Sequence, residues 1–328
     1  MEDIKKVFDS ISKLTVGVIG DVMLDSYMWG VVDRISPEAP VPVVSLHKKE
    51  YRVGGAGNVA LNCRALGAKV ALFSVTGNDN EREQLIDLLK TQKINTNGIL
   101  KSKERVTTNK TRIVSRSQQM LRLDAEITTD LNTADEQNLL DSIKKFIDTK
   151  PALIIFEDYN KGVLTPGVIF QTIKLCRAAG ILTAVDPKRR NFFSYQGADI
   201  FKPNMKEVRE GLNITDDISG ESSLDKIHHE LQDKLNHRIS LITLSELGIF
   251  YKDETASAII PSHLRTIADV SGAGDTVIAV ASLVYAATKN VHLMAEIANI
   301  AGGIVCEEVG TAPVSYHKLM HECELLLS

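Results

Sequence analysis

No apolar run in this chain approaches the roughly 20 residues that a membrane span requires. The N-terminal stretch MEDIKKVFDSISKL is charged and amphipathic, unlike a leader with an apolar centre and a small-residue cleavage site. These absences argue against membrane insertion and secretion and lead to the expectation of a cytoplasmic protein. Only four cysteines occur among 328 residues (Cys63, Cys176, Cys306 and Cys323), and none has C-x-x-C spacing. That removes a zinc ribbon and a disulfide framework, and the thiols read as mostly buried. No basic block interleaves with aromatics, and 38 Lys plus Arg stand against 42 Asp plus Glu for a net charge of -4, so nucleic acid is not an expected partner. Internal repeats and low-complexity segments are also missing. With 44% apolar and 24% charged residues, the chain has the makings of a large core rather than of disorder. G-x-x-x-x-G-K-[ST] is absent, which excludes P-loop chemistry. His317 and His321 in HKLMH lack the Glu of H-E-x-x-H and fit a solvated terminal helix. His228-His229, in a charged helical stretch, reads as surface.

What is present is a rhythm. Short β-rich runs recur at Val16–Ile19, Val70–Val75, Ala152–Phe156, Leu182–Val185, Ala198–Phe201 and Ile239–Thr243. Segments of helical period, among them NVALNCRALGA, EREQLIDLLK and PGVIFQTIKLCRAAG, lie between most of them. Strand and helix in alternation predict an α/β fold with a mainly parallel sheet covered by helices on both faces. Two stretches break the rhythm. Pro40–Ser45 with Lys48–Val53, and Val106–Asp124, alternate polar with apolar residues and read as strands exposed on one face. Together they predict a small β-sheet lid, from segments at about 38–53 and 104–124, over a site in a single domain spanning 1–328.

Val270-Ser271-Gly272-Ala273-Gly274-Asp275-Thr276 is a Gly-rich turn opening a helix, an arrangement that offers phosphate both backbone N–H groups and the positive end of the helix. Its acid would repel a resting phosphate. Either the turn only caps a helix, or it serves a reaction in which phosphate passes through. In phosphoryl transfer one carboxylate accepts the proton of the attacking hydroxyl, which makes Asp275 the candidate base and Gly272, Ala273 and Gly274 the candidate anion-stabilising turn. Asp21 and Asp25 follow the first strand, at the edge where open α/β sheets bind ligands, and a carboxylate pair there suits sugar hydroxyls. Gly54 and Gly55 let a ligand approach a helix start, with Asn58 turned toward its hydroxyls. The G-x-G-x-x-A in this stretch follows SLHKKEYRV, too polar for the first buried strand of a dinucleotide site. Asn204 and Glu207 in KPNMKE read either as an N-cap with an acid in the first turn, or as organisers of Mg²⁺ beside nucleotide phosphates.

GG-x-G/A-N, N-x-x-E and D-V-[ST]-G-A-G-D-T, in this order, resemble the ribokinase-like (PfkB) carbohydrate kinases over essentially the whole chain. Within that family, GDVMLD, RISPEAPVPVV, GGAGNVALN, SRSQQMLRLD, DYNKG, DPK and VSGAGDTVI are similar to the kinase half of the bacterial heptose 7-phosphate kinase/adenylyltransferases. The resemblance implies a ribokinase-like three-layer sandwich with a β-lid, ATP and Mg²⁺ as cofactors with K⁺ as a further candidate, and a homodimer whose lids meet. It implies phosphorylation of O1 of D-glycero-D-manno-heptose 7-phosphate on the route to ADP-heptose and the lipopolysaccharide core. By position it implies Asp275 as base, with Asp21, Asp25, Gly54, Gly55, Asn58, Arg112, Asp158 and Lys161 at the sugar phosphate. Lys188, Asn204, Glu207, Thr243, Ser245 and Gly248 fall at ATP, Glu207 also at Mg²⁺, and Asp269 at a monovalent cation. Arg112 and Lys161 are expected to hold the 7-phosphate, with Lys110 and Arg116 on the same strand face as Arg112 and Ser115 pointing away. Three departures stand out: Gly57 where Ala is usual, Leu244 for an Arg near the nucleotide, and no H-x-G-H motif before Ser328. The last assigns adenylyl transfer to another polypeptide. A kinase of another sugar or sugar phosphate is the alternative, and a catalytically silent sugar-binding protein a further one. The intact Asp275, Gly274 and Glu207 favour an enzyme.

Overall fold

The computed structural model describes residues 3–116, 118–215, 218 and 220–327. In chain order the strands are β1 (Thr15–Gly20), β2 (Val22–Ile35), β3 (Pro42–Gly55), β4 (Lys69–Thr76), β5 (Asn95–Lys101), β6 (Asn109–Ser115), β7 (Gln118–Ala125), β8 (Leu153–Glu157), β9 (Leu182–Asp186), β10 (Ile200–Phe201), β11 (Ile239–Thr243), β12 (Ile249–Lys252) and β13 (Ser257–Ile260). The helices are α1 (Ile4–Ile11), α2 (Ala56–Ala65), α3 (Asn80–Thr91), α4 (Thr133–Ile147), α5 (Pro166–Ala179), α6 (Met205–Leu212), α7 (Gly220–Leu235), α8 (Ala273–Thr288), α9 (Val291–Val305) and α10 (Tyr316–Leu326).

The larger sheet has the order β13-β12-β11-β10-β9-β8-β1-β4-β5. Its strands pair in parallel from β11 through β5, and β12 and β13 add an antiparallel edge. Burial on both faces explains the unbroken apolar runs of β1, β4 and β8. The period of two divides each strand between two cores: Leu153 and Ile155 pack with α1, α2, α3, α8, α9 and α10, while Ile154 and Phe156 pack with α4, α5 and α7. Local signals agree with this layout. α5 starts on the Thr165 N-cap with Pro166 in its first turn and stops at Gly180 in the left-handed region, φ 68°. The α/β sandwich expected from the sequence is the fold observed.

The smaller sheet has the order β3-β2-β6-β7. β2 and β3 run antiparallel from Val22–Gly55 out to Ile35–Pro42, and β2 lies parallel to β6. This differs from the sequence expectation in one respect. β2 is a long central strand of the lid, and Asp25 lies on it rather than in a loop after β1. The hydrophobic pattern hides it because its buried inner half, Val22–Tyr27, includes Asp25 and Ser26. Asp21 alone separates β1 from β2: its N–H donates to the Glu157 carbonyl (3.2 Å) and its carbonyl accepts from the Ala56 N–H at the start of α2 (3.0 Å).

A second difference concerns the histidines. His229 is exposed, but His228 faces the core at 1% exposure, with its Nδ1 2.9 Å from Ser240 Oγ; the buried His237 reaches the same oxygen through Nε2 at 2.7 Å. Burial pushes His228 down to about 4 and His237 down to about 3, so both are neutral imidazoles. His317 and His321 are exposed on α10, and Cys63, Cys176 and Cys323 are buried. Among the described residues no helix is long and apolar enough to cross a membrane.

Candidate active site

Chemistry-bearing side chains collect where the parallel strands end at their carboxyl edge, beside β1, whose neighbours β4 and β8 lie on opposite sides. Such a switch point leaves a crevice above the sheet. Asp21 follows β1, Glu157, Asp158 and Tyr159 end or follow β8, Asp186 and Lys188 end or follow β9, Lys202 and Asn204 follow β10, and Thr243 closes β11.

Asp275 sits in the first turn of α8 and is buried. Both of its carboxylate oxygens accept hydrogen bonds: Oδ1 from the Tyr159 hydroxyl and Oδ2 from Asn58 Nδ2, each at 2.8 Å. Burial pushes this carboxyl up to about 6, against the pull of the two donors. Gly272 is the N-cap at φ 81°, and a Cβ there would lie 2.7 Å from Asn58 Nδ2, so both backbone and space require glycine. The Ala273 N–H is taken up within the turn by the Val270 carbonyl (3.3 Å). The first intrahelical bond runs from the Thr276 N–H to the Gly272 carbonyl (3.0 Å), which leaves the N–H groups of Gly274 and Asp275 open at the positive end of the helix. A Cβ on Gly274 would meet Lys202 Nζ at 3.6 Å and Asp186 Oδ2 at 3.7 Å, ordinary contact distances.

Carboxylate oxygens of Glu157, Asp186 and Asp275, all buried, lie within 4.8 Å of one another. Ammonium groups answer this charge. Lys202 Nζ is 2.8 Å from Asp186 Oδ2, and Lys188 Nζ is 3.4 Å from Asp186 Oδ1 and 2.6 Å from Glu207 Oε1. Burial acts against charge on Asp186 and Lys188, yet their partners outweigh it: Asp186 is held below the usual carboxylate range and Lys188 above the usual amine range. Glu157 differs. Neither of its carboxylate oxygens has a hydrogen-bond partner among the described residues, and burial followed by repulsion from Asp186 and Asp275 raises its proton affinity well above that of an ordinary glutamate.

Several residues expected at the sugar are turned toward the protein. The Asp21 carboxylate accepts the N–H groups of Tyr159 (2.8 Å), Lys161 (3.0 Å) and Val163 (3.1 Å). Burial raises its proton affinity, and these three donors oppose the rise. Asp158 accepts from the Asn160 N–H (2.7 Å), the Tyr195 hydroxyl (2.9 Å) and Asn191 (3.3 Å), and burial pushes it up to about 6. Asn58 holds Asp275 rather than facing open space. What Gly54 and Gly55 admit is the protein itself: a Cβ on Gly54 would collide with the Asp25 carboxylate, and one on Gly55 with the Asp21 carbonyl.

On the lid, Arg112 forms an ion pair with Asp25 and lies over the Tyr27 ring (5.2 Å to the centroid). Lys161 Nζ is 2.7 Å from Glu126 Oε1. Lys110, on β6, has no ion-pair partner among the described residues; its Nζ lies 5.9 Å from the centre of the Tyr159 ring. Burial and then the nearby Lys161 charge lower its proton affinity. Arg116 does not share the strand face with Lys110 and Arg112: it occupies the turn after β6 at φ 49°. Ser115 is buried and accepts from the Val32 N–H at 3.3 Å.

Toward β10 and β11, Asn204 and Glu207 form a capping box on α6: Asn204 Oδ1 accepts the Glu207 N–H and Glu207 Oε2 accepts the Asn204 N–H, both at 2.8 Å. Thr243 bridges to Asn204, while Ser245 (φ 56°) and Gly248 (φ 97°) shape the turn that follows β11, from which Leu244 points into the core. Asp269 accepts from Ser271 N (3.0 Å) and Oγ (2.8 Å) on one oxygen and from Gly310 N (2.9 Å) on the other, tying the GAGD turn to the 308–311 loop. Sequence reasoning missed Glu157, Tyr159, Asp186 and Lys202. Each is a charged or hydroxyl residue at or just past the end of a strand, a signal that needs the strand order before it means anything.

Comparisons with known proteins agree with this layout. The description "pfkB family carbohydrate kinase" matches residues 13–318. Proteins named "Bifunctional protein HldE" are similar: that of Aliarcobacter butzleri is 39% identical over 307 residues, covering 94% of this chain and 64% of that protein. That of Sulfurimonas denitrificans is 40% identical over 303 residues, covering 92% and 62%. The chain therefore spans under two thirds of the length of these relatives. Because they are named bifunctional as single proteins, they lend no support to the expectation of a separate adenylyltransferase. Among solved structures, phosphofructokinase-2 from Escherichia coli in complex with potassium aligns with a TM-score of 0.80 at 17% identity, covering 96% of this chain and all of that one. Ribokinase from Arabidopsis thaliana complexed with ribose and ATP aligns at 0.72 and 14% identity, covering 94% and 99%. A buried acid in the GAGD turn, strand ends that converge on it and a family match over nearly the whole length lead to one assignment: the chain belongs to the pfkB family of carbohydrate kinases.

Proposed function

We propose that this chain transfers the γ-phosphoryl group of ATP to O1 of D-glycero-D-manno-heptose 7-phosphate, giving the 1,7-bisphosphate and ADP. The observation that carries the reading is Asp275, a buried carboxylate in the first turn of α8, where the N–H groups of Gly274 and Asp275 precede the first intrahelical bond. Asp275 accepts the proton of the sugar hydroxyl as the new O–P bond forms and the bond to the β-phosphate oxygen breaks. The open N–H groups and the helix dipole stabilise the charge on the moving phosphoryl group, and Lys188 and Lys202 add fixed positive charge. Glu207 fits Mg²⁺, since each of its oxygens accepts a single hydrogen bond and keeps a lone pair. Mg²⁺, when bound, neutralises nucleotide phosphate. Thr243, Ser245 and Gly248 line the nucleotide side, and Asp269 is the proposed K⁺ neighbour.

A substrate phosphate is supported by the cations gathered around Tyr159. The free ammonium of Lys110 joins Arg112 and Lys161, the phosphate ligands expected from the sequence, whose charges are shared with Asp25 and Glu126. Homodimer formation through the lids is supported by exposed Ile35, Val41, Leu46, Met120, Leu121 and Leu123 on and around the small sheet. The test is ADP release measured across a panel of sugars and sugar phosphates. Heptose 7-phosphate is expected to give the highest kcat/KM, and a higher value for fructose 1-phosphate or ribose would overturn the substrate.

A further inference from the structure

The loop between β8 and α5 is tied down more heavily than a connection requires. Two buried carboxylates serve it: Asp21 collects the N–H groups of Tyr159, Lys161 and Val163, and Asp158 collects the Asn160 N–H together with Tyr195 and Asn191. Burying a carboxylate is costly unless donors surround it, so two of them on one short loop mark a position that must be held closely. Asn160 adds a left-handed turn at φ 55°. What the loop delivers is the Tyr159 side chain. Its hydroxyl lies 2.8 Å from Asp275 Oδ1, and its ring has Lys110 Nζ 5.9 Å from its centre and Lys188 Nζ 5.5 Å from it.

We propose that Tyr159 is a positioning residue for phosphoryl transfer: its phenol and the Asn58 amide grip the two oxygens of Asp275 and fix the plane of the carboxylate toward the sugar hydroxyl. The inference rests on the reading of Asp275 as the base. With Oδ2 alone held, the carboxylate turns about the Asn58 bond; with both held, one lone pair on each oxygen keeps a fixed direction. The phenol is a donor throughout the working range, because burial and the Asp275 charge raise its proton affinity well above that of free tyrosine. Other titratable groups bear on Asp275: Glu157 from the end of β8, and Asp186 and Lys188 from β9 and the loop after it, with Lys202 from the end of β10 paired to Asp186. Among the described residues, Tyr159 is the titratable group that donates a hydrogen bond to it.

The experiment compares wild type, Tyr159→Phe and Asp275→Asn in the full chain, measuring kcat, both KM values and the pH dependence of kcat. For Tyr159→Phe we expect kcat to fall about 10-fold, KM for ATP and sugar to stay within about two-fold, and the acid limb to move up by about one pH unit, because a donor that favours the ionised acid is gone. A limb that stays in place, whether or not kcat falls, overturns the inference. If Tyr159→Phe does not fold by circular dichroism, 3,5-difluorotyrosine at position 159 keeps the shape and donates more strongly. It should move the limb down, and an unmoved limb again overturns the proposal. Near-normal turnover in Asp275→Asn instead removes the base itself, a separate failure from that of Tyr159.

Discussion

The raised proton affinity of Asp275 makes acid pH the sharpest perturbation of the proposed chemistry. A base must be ionised to accept a proton, and burial holds this one near 6. On a simple titration, about 91% of Asp275 is ionised at pH 7 and about 9% at pH 5, so kcat should drop roughly ten-fold between them. An unshifted aspartate would lose only about 7% over the same interval. The assay is ADP release at saturating ATP, Mg²⁺ and sugar phosphate from pH 5 to 8, with circular dichroism at each pH to establish that the chain stays folded. Substrate phosphates also titrate near pH 6, and the residual activity of Asp275→Asn separates the two effects because it has no carboxyl at this position. Its profile should lack the limb. An identical limb in Asp275→Asn, or a wild-type rate at pH 5 within about 20% of that at pH 7, would refute the assignment of Asp275 as the titrating base.

Gly272→Ala combines a left-handed backbone with a methyl 2.7 Å from Asn58 Nδ2, so it should cost about 1–2 kcal/mol of stability and at least about 10-fold in kcat. Gly274→Ala, with no atom closer than 3.6 Å to its methyl, should keep stability and kcat within a few-fold; denaturant unfolding and steady-state kinetics measure both. Lys110→Ala should weaken heptose 7-phosphate binding by about 1.5–3 kcal/mol and leave ATP unchanged by calorimetry, whereas an equal loss for dephosphorylated heptose would remove Lys110 from phosphate recognition. His228 and His237 have folded values of about 4 and about 3, below the ordinary histidine value, so the unfolded chain takes up their protons first and stability falls as the pH drops below about 6.5. Urea unfolding should show a loss of about 2 kcal/mol per histidine between pH 7 and 5, and His237→Leu should remove about half of it.

The parallel strands were legible because burial on both faces writes them as apolar runs, and the Asn204–Glu207 capping box because its spacing is local. β2 was not, since a strand that buries Asp25 and Ser26 carries no alternation to read. The site was legible in part. Asp275 announced itself through the GAGD turn, Asp21 and Asn58 stood out as polar residues beside a strand and a Gly-rich turn, and Asp158 came from the family resemblance. Their directions could not be read, and each proved to face the protein: Asp21 and Asp158 hold the loop that carries Tyr159, and Asn58 holds the base. Tyr159, Glu157, Asp186 and Lys202 gain meaning only when β1, β8, β9 and β10 are known to be neighbours, which no spacing along the chain encodes.

Asp21 is the single residue between a strand of the main sheet and the central strand of the lid, and it is bonded at once to β8, to the start of α2 and to the Tyr159 loop. In mechanical terms it is a fulcrum with both levers attached. Through these bonds any displacement of β2 at Asp21 is transmitted to the Tyr159 loop, so the small sheet and the loop beside Asp275 are mechanically joined at one residue.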